Sequence, residues 1–387
     1  MRARGTGVRR LELRAFGAPE VIRLVDDEAP PEPGPGEVRV RVEASSLAFT
    51  DTLIRRNLYP VLKLRLPLTP GYDFIGRIDS VGPGVARWRV GDRVADLIQT
   101  GGNTTHLVRP AATLVAVPQR LDATRAEPLV LSYLTAHQAL FREAEAKRGD
   151  QVLVYGATGA VGMAALDLCR AFGLPAVGVA SARRERIVNG LGAAFVAYDE
   201  PDSAGKLDRL ARERKGFRVI IDAARGEALS SVTSRLAPDG RLVVLGFSAP
   251  FRDARRNGRQ QPGLMARLGF AFDFLRIKWL ASRPGTSRRI SFYDIVQRRV
   301  RRPDDFRDDL TTLFGLLEDG RISPRVQTVF RLDEAVEAHR LIESGRVVGR
   351  LVLDLASPIG DGGGGVAYPR AESRKTAATA LRDAVRG

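Results

Sequence analysis

The stretch Gln151-Val-Leu-Val-Tyr-Gly-Ala-Thr-Gly-Ala-Val-Gly162, a little before the middle of the chain, decides the fold. Its apolar run Val152–Tyr155 is typical of a strand buried on both faces of a sheet. Gly159 and Gly162 follow, and apolar residues then recur with helical spacing. A strand, a glycine turn and a helix in this order indicate a dinucleotide-binding unit, with Ala157 where the usual first glycine stands. The alternative is an ordinary tight turn.

The chemistry of such a turn depends on access to its backbone. Glycine lets the main chain come close to a pyrophosphate, and the free N–H groups and dipole at the helix start favour an anion there. We therefore predict that the cofactor contacts Ala157, Thr158, Gly159, Val161 and Gly162.

The next predicted strand, Ala176–Ala180, ends at residues that indicate which cofactor is bound. An NAD-specific site usually carries an Asp or Glu about twenty residues after the glycines. This chain has Ser181 there, followed by Arg183 and Arg184. A small hydroxyl with guanidinium groups suits a 2′-phosphate, which a carboxylate would repel, so NADPH is predicted. An arginine-rich chain can also place arginines there by chance, and the nearby Glu185 leaves NADH as the alternative.

Strands and helices alternate after Pro128, which is the pattern of a doubly wound parallel α/β sheet, the Rossmann arrangement. A helix is predicted over 129–141, and strands over 152–155, 176–180, 194–197, 218–222, 241–245 and 290–293. Before them, an irregular, mostly antiparallel β-rich domain is predicted, with strands over 8–14, 20–26, 37–47, 74–81, 92–98, 105–108 and 114–117. A helix is predicted over 303–317. Strands over 326–330 and 347–355, with a helix over 333–343 between them, resemble a return to that first domain.

Composition narrows the classes of protein. The chain has 387 residues, enough for two domains, and a single cysteine, Cys169, which excludes a disulfide framework and a multi-cysteine metal site. It has no run of eighteen uncharged apolar residues and no apolar stretch after its basic N-terminus, so we expect no membrane span, no signal peptide and a cytoplasmic location. The net charge is +16, and a surplus of basic residues is concentrated between Phe251 and Arg302.

Several short motifs are similar to those of one known family. They are Pro70–Gly76, Val81–Val85, Val90–Val94, Leu134–Ala136 and Pro238–Val243. Over about residues 8–356 the chain resembles the medium-chain dehydrogenase/reductase superfamily, and within it the zinc-free quinone-oxidoreductase branch, which includes vesicle-associated relatives. The resemblance implies that the β-rich part is a GroES-like catalytic domain, and it makes Thr135 a further cofactor contact.

The resemblance also bears on metal. Zinc-dependent relatives have ligands at positions that Ala48, Tyr72 and Leu131 occupy here, and none of these can hold zinc in the usual way. His106 and the other two histidines are scattered along the sequence, so no metal site is predicted. Asp51 remains from the motif after the third strand, either as a site residue or as a turn or helix-capping residue.

The sequence pattern and the resemblance together predict that the chain is divided into four segments. Residues 1–125 are predicted to form the β-rich catalytic domain and 126–296 the dinucleotide-binding domain, with a basic insertion at 250–289. Residues 297–356 return to the catalytic domain, and the glycine-rich, polar end at 357–387 reads as a disordered tail.

The implied reaction is hydride transfer from NADPH to a quinone or an α,β-unsaturated carbonyl compound, without zinc. Negative charge develops on the substrate oxygen, so a hydrogen-bond or proton donor is needed. Tyr59 and Tyr72 are the catalytic candidates and Tyr133 is a weaker one. The alternative for Tyr59 is a tyrosine that only packs at the rim of the cleft.

A different class of function is a cofactor-binding interaction protein at an anionic membrane surface. It is suggested by the apolar, aromatic and basic segment Gly263–Leu280. We favour the interpretation that this segment is a helical insertion walling the cleft, so membrane contact is possible but not preferred. No nucleic-acid-binding motif is present. A homodimer paired through the sixth strand is expected from the resemblance.

Overall fold

The computed structural model describes residues 7–357, apart from 28, 60–63, 225, 246–274, 276–278 and 280–289. The predicted basic insertion and the predicted tail therefore lie outside the described residues, except for Leu275, Trp279 and Ser357. Leu275 and Trp279 occupy helical positions, with 64% and 53% of their surface exposed.

The strands of the described residues are β1 (Val8–Leu13), β2 (Ile22–Asp27), β3 (Glu37–Leu47), β4 (Asp73–Val81), β5 (Arg93–Leu97), β6 (His106–Pro110), β7 (Val115–Ala116), β8 (Val152–Tyr155), β9 (Ala176–Ala180), β10 (Ala194–Ala197), β11 (Phe217–Asp222), β12 (Leu236–Val244), β13 (Ile290–Phe292), β14 (Val326–Arg331) and β15 (Arg350–Asp354). The helices are α1 (Phe49–Arg55), α2 (Ala123–Ala126), α3 (Leu134–His137), α4 (Ala160–Phe172), α5 (Glu185–Gly190), α6 (Ser203–Glu213), α7 (Leu229–Ser234), α8 (Ile295–Arg301), α9 (Pro303–Glu318) and α10 (Ala335–Glu343). Within the described ranges, no helix combines the length and apolar character that a membrane span needs.

The central strands of the second half form a parallel sheet in the order β10-β9-β8-β11-β12-β13. Every residue of β8 and β9 is buried, which explains their continuous apolar runs. The chain leaves β8 toward β9 and β10 on one side and later fills the other side with β11, β12 and β13. Ligands of open α/β sheets bind at such a reversal, outside the carboxyl ends of the strands. The predicted doubly wound sheet is confirmed.

The second large sheet is mixed and has the order β14-β15-β3-β4-β5-β7, with β6 also pairing β3. On β3 the alternating Val38, Val40 and Val42 are buried while the arginines between them are less so. The C-terminal β15 pairs antiparallel with β3, and β14 pairs parallel with β15. The predicted return of the chain to its first sheet is confirmed, as is the fold class. The predicted domain boundaries stay predictions.

Some element limits differ from the prediction. The strand expected at 20–26 begins only at Ile22, because Pro19–Val21 form a 3₁₀ turn with proline at its start. The helix expected at 129–141 is helical, but its ends, Leu129–Tyr133 and Gln138–Glu143, have wide π turns. The last strand starts at Arg350 rather than at 347, since Gly349 has a φ of +79° that a regular strand does not allow.

One apolar cluster holds the two sheets together at the point where the site forms. It contains Tyr72 and Ile75 of the mixed sheet, Val152 and Val154 of the parallel sheet, and Leu310 of α9. Because these side chains are buried and in one continuous core, the two sheets present fixed walls to the space between them.

Candidate active site

A cleft of about 490 Å³ lies between the two sheets. Its walls come from α1, the glycine turn before α4, the end of β9, the residues that follow β13 and the segment before β15. The volume is within the range of small-molecule and cofactor sites. It lies at the reversal of the parallel sheet, where the fold predicts a ligand.

The glycine turn is held by close contacts within the protein. Gly156 has a φ of +75°, so glycine is favoured there, although sequence reasoning did not single it out. A Cβ on Gly162 would lie 2.2 Å from the Gly156 carbonyl oxygen, so Gly162 is needed for the helix to pack on the turn. Ala157 is fully buried beneath the turn and donates its N–H to the Val179 carbonyl at 3.0 Å. It is not among the cleft-lining residues.

Gly159 differs from its neighbours because the protein itself leaves room for a side chain. A Cβ there would meet only the Gly156 carbonyl oxygen, at 3.4 Å, and the residue has an ordinary φ of −73°. Gly159 lines the cleft with Thr158, Val161 and Gly162, at the start of the 13-residue α4. The open space over Gly159 and the free N–H groups of the helix start together fit the diphosphate of a dinucleotide.

Basic side chains gather at the end of β9. Ser181, Arg183 and Arg184 line the cleft, and burial and the positive charges of Arg183 and Arg325 lower the pKa of Arg184. Arg184 also donates to the Arg346 carbonyl at 2.8 Å. Within the described ranges, neither Arg183, Arg184 nor Arg325 forms an ion pair with a carboxylate. This concentration of uncompensated positive charge fits a phosphate group.

An acidic residue, Asp199, lies near this arginine cluster, but its carboxylate is engaged in a hydrogen bond to the backbone. Asp199, after β10, accepts a hydrogen bond from the Ala182 N–H at 2.8 Å through one carboxylate oxygen. The carboxylate therefore holds the turn that carries Arg183 and Arg184.

Two tyrosines that line the cleft are in contact with each other. The hydroxyl groups of Tyr59 and Tyr72 are 3.0 Å apart, and the rings pack edge to face with centroids 6.3 Å apart. Burial raises the pKa of Tyr59 and raises that of Tyr72 well above its usual value. The two hydroxyl groups share one hydrogen bond, in which either can be the donor. Both groups keep their protons at neutral pH, so one proton bridges the pair and the other is left for a ligand.

The positions where zinc-dependent relatives carry ligands are brought together here. Ala48, Tyr72 and Leu131 all line the cleft. Throughout the part of the chain that the structure describes, no group of three or more His, Cys, Asp or Glu side chains could hold a metal ion.

The helix after Pro128 presents one face to the cleft. Leu131, Ser132 and Thr135 line it, and Thr135 is a predicted cofactor contact. The Ser132 hydroxyl, which sequence reasoning missed, is buried without a hydrogen-bond partner among the described residues. A buried hydroxyl of this kind is available to a ligand, because leaving it unbonded costs free energy.

Two weaker candidates have structural partners instead. The Tyr133 hydroxyl donates to Asp167 at 2.8 Å, and Tyr133 is not among the described cleft-lining residues, so its predicted place in the cleft is wrong. Asp51 is fully buried and accepts the N–H groups of Ala48 at 2.8 Å and Gly71 at 3.3 Å. Those bonds favour the helix-capping alternative for Asp51.

A buried ionic group underlies the cleft wall and was not predicted. Arg350, which lines the cleft, donates to Ser46 and to Asp73 at 3.1 Å, and its Nε lies 3.7 Å from Glu127. Burial raises the pKa of Glu127 well above its usual value, and nearby Asp73 raises it further. The available signal was a single arginine at the start of an otherwise apolar strand, because a buried charge is rarely unpaired.

Two family models match the chain. One is described as an alcohol dehydrogenase GroES-like domain and matches residues 34–119, and the other is described as a zinc-binding dehydrogenase and matches residues 191–353. The synaptic vesicle membrane protein VAT-1 homolog of Rattus norvegicus is 30% identical over 351 residues, covering 89% of this chain and 84% of that protein. The quinone oxidoreductase of Sus scrofa is 29% identical over 346 residues, covering 87% and 95%.

A solved structure is similar over the same range. A mycobacterial protein in complex with NADPH has a TM-score of 0.71 and 25% identity, covering 90% of this chain and 100% of that one. Both family models, the full-length relatives and the paired sheets agree with one another. The chain therefore belongs to the medium-chain dehydrogenase/reductase superfamily, in its zinc-free quinone oxidoreductase-like branch.

Proposed function

We propose that this oxidoreductase is an NADPH-dependent, zinc-independent reductase that transfers hydride to a quinone or an α,β-unsaturated carbonyl compound. One observation carries the proposal. A single cleft is lined by the Arg183–Arg184 cluster, the glycine turn before α4 and the Tyr59–Tyr72 hydroxyl pair. Together these groups would serve the phosphates of a dinucleotide and a carbonyl oxygen of its substrate.

The cofactor assignment is supported by charge and by space. The guanidinium groups of Arg183 and Arg184 would hold the 2′-phosphate of NADPH, since both line the cleft without a carboxylate partner in the described part of the chain. The N–H groups at the start of α4 would hold the diphosphate above Gly159, where a Cβ has room. Ser132 and Thr135 lie on the wall between these groups and the tyrosine pair and would contact the nicotinamide half.

The chemistry follows from the hydroxyl pair. The bound cofactor supplies a hydride, and negative charge then develops on the substrate oxygen. Tyr59 would donate its hydrogen bond to that oxygen while its own oxygen accepts from Tyr72, which is one of the two arrangements that the 3.0 Å separation of the hydroxyl groups allows. Tyr72 keeps the Tyr59 hydroxyl oriented toward the cleft. A donor fixed in place in this way stabilises the charge without reorganising water.

The hydroxyl pair would also take the place of a Lewis acid. Zinc-dependent relatives polarise the substrate oxygen with a metal, and here Tyr72 occupies one of the ligand positions. Neither Ala48 nor Leu131 at the other two has an atom that binds zinc. Hydrogen bonding from Tyr59 would supply the polarisation, so stoichiometric zinc is not needed.

Cofactor affinity and selectivity test the proposal. NADPH and NADH binding would be measured by titration calorimetry on the parent and on a variant with Arg183→Gln and Arg184→Gln. We expect NADPH to bind about ten- to a hundredfold more tightly than NADH, the value of one good charge-assisted contact. The double variant should lose most of this difference. Arg186→Gln is the matched control, since Arg186 is exposed and is not among the described cleft residues.

Turnover completes the test. NADPH oxidation would be followed at 340 nm (about the nicotinamide absorbance maximum) with a panel of benzoquinones and small enones, on protein freed of metal by a chelator. We expect turnover to persist after chelation. Equal affinity of the parent for NADPH and NADH, or the absence of turnover across both substrate classes, would contradict the proposal.

A further inference from the structure

A second cavity, of about 420 Å³, lies apart from the cleft described above. One wall is formed by Leu97–Gln99 after β5, by the Ala111–Thr113 turn and by β7. The other wall is formed by α8 and the start of α9. The volume is that of a small-molecule site, and the reductase function proposed above does not use it.

The floor of this cavity carries more positive than negative charge. Asp96 is fully buried, and both of its oxygens accept hydrogen bonds from arginine. Arg109 donates to one oxygen through Nε at 3.0 Å and Nη2 at 2.9 Å, while Arg299 donates to the other. Two guanidinium groups thus share one carboxylate, which leaves one positive charge uncompensated by it. Burial lowers the pKa of Arg299, which is the effect of taking a cation out of water without a full counter-charge.

A third cation and an apolar surface complete the cavity. Arg307 lines it and pairs with Asp304 at 3.1 Å on the surface, an exposed contact that contributes little. Val296, Val300 and Phe306 form the apolar part of the wall, and Val300 is 79% exposed. An exposed valine beside partly buried arginines is an unusual arrangement, because it places apolar surface and unbalanced positive charge in one concave space.

We propose that this cavity, between the end of β5 and α8, is a second ligand site that takes a small amphiphilic anion. The anionic head contacts Arg109, Arg299 and Arg307, and the apolar body of the ligand covers Val296 and Val300. A carboxylate or phosphate head supplies the counter-charge that Asp96 alone does not. Neither a neutral apolar molecule nor a bare anion satisfies both halves of the cavity.

The site shares a wall with the catalytic cleft. Gln99 lines the second cavity, and the N–H groups of Ile98 and Gln99 donate to the Tyr72 carbonyl at 2.8 and 3.0 Å. At the start of α8, Asp294 and Ile295 line the catalytic cleft while the next residues line the second cavity. A binding experiment must therefore tell the two spaces apart.

Calorimetry with three probes, which differ in whether they carry the charged head, the apolar chain or both, tests for a ligand that needs both. Octanoate has a head and a chain, 1-octanol has the chain alone, and acetate has the head alone. Without nicotinamide cofactor, we expect saturable binding of octanoate that is at least about tenfold tighter than that of 1-octanol or acetate. Binding of 1-octanol as tight as octanoate, or no saturable binding of octanoate, would overturn the proposal.

Two surface variants locate the ligand. Val300→Asp places a carboxylate at the mouth of the cavity, and Arg307→Gln removes a cation, so each should weaken octanoate binding about tenfold. Val90→Asp is the matched control, since Val90 is 65% exposed in the connection between β4 and β5 and should leave binding unchanged. All three positions are at the surface, and thermal melting checks that each variant folds.

The variants also separate this inference from the reductase function. If octanoate binds equally to the parent, Val300→Asp and Arg307→Gln, it occupies the catalytic cleft or another surface, and the second site is refuted. Val300→Asp is expected to keep the parent's NADPH-dependent turnover of an enone, because Val300 is not among the described residues of the catalytic cleft. Failure of octanoate binding would therefore leave the reductase proposal standing.

Discussion

Replacing Tyr59 by Phe tests the hydroxyl pair most directly. The change removes the hydroxyl that lies 3.0 Å from the Tyr72 hydroxyl and that would donate to the substrate. Loss of one donor to a developing oxyanion lowers kcat about a hundred- to a thousandfold, or about 2.7–4 kcal/mol. In this variant the Tyr72 hydroxyl still has its proton and can donate it to the substrate oxygen in place of Tyr59, which recovers part of the loss. We therefore expect a fall of about a hundredfold in kcat for Tyr59→Phe.

The companion change separates the two tyrosines. Tyr72→Phe leaves the donor in place and removes only a neutral hydrogen bond that orients it, worth about 1 kcal/mol, so kcat should fall about fivefold. The double variant should fall further than Tyr59→Phe, toward about a thousandfold, because Tyr72 can no longer recover part of the loss. The rate of the parent should stay level up to about pH 10, because burial raises the pKa of both tyrosines above the ordinary 10.0.

Steady-state kinetics with one enone and saturating NADPH measures these changes. Tyr293→Phe is the control, because Tyr293 lines the same cleft but its buried hydroxyl donates to Gln138 at 2.7 Å. Its kcat should stay close to that of the parent. The reasoning is refuted if Tyr59→Phe keeps kcat within twofold of the parent, or if Tyr72→Phe is the more harmful change.

Three further outcomes are expected. Burial raises the pKa of Asp51 to about 7, so the folded parent resists ionisation of this group and loses stability as pH rises from about 4 to 7. Asp51→Asn has no such group and should gain up to about 4 kcal/mol of stability relative to the parent over that range. Urea unfolding at several pH values measures the difference, and a difference that does not vary with pH contradicts the expectation. Gly159→Ala should keep the parent's melting temperature but weaken NADPH binding, whereas Gly162→Ala should lower the melting temperature because its Cβ meets backbone at 2.2 Å. Elemental analysis should find no stoichiometric zinc, and one zinc per chain would refute that expectation.

Much of the fold was predictable because its signals are local. Buried parallel strands must be apolar along their whole length, and that shows directly in runs such as Val152–Tyr155. The glycine turn and the Arg183–Arg184 pair are also local, since each needs only a few consecutive residues. The sequence therefore predicted the sheet and brought out cleft-lining residues by number, while their role as cofactor contacts stays a prediction.

The rest of the site is assembled from distant segments, which a linear pattern does not reveal. Arg350 meets Asp73 across 277 positions of the chain. Arg325 reaches the cluster at Arg184 only because β14 and β15 return to the first sheet. Ser132 carries no signal of its own, since an isolated serine in a helical stretch is ordinary.

The error over Tyr133 has a simple geometric cause. Leu131 and Thr135 are four residues apart and lie on the helix face that lines the cleft. Tyr133 is two residues from each, which rotates its side chain to the opposite side, where it meets Asp167. Mapping a motif by sequence position alone does not account for this rotation.

The place of β15 in the mixed sheet determines when β3 can pair fully during synthesis of the chain. Leu47 at the end of β3 pairs with Leu351, so about 300 residues must leave the ribosome before that part of β3 gains its neighbour. At about 5–20 residues per second, the wait is roughly 15 to 60 seconds. The strands β8 to β12 can pair among themselves in that interval, because they come from one continuous stretch. During synthesis the strands of the nucleotide-binding sheet are therefore available to pair first, while the waiting edge of β3 is exposed to wrong pairing.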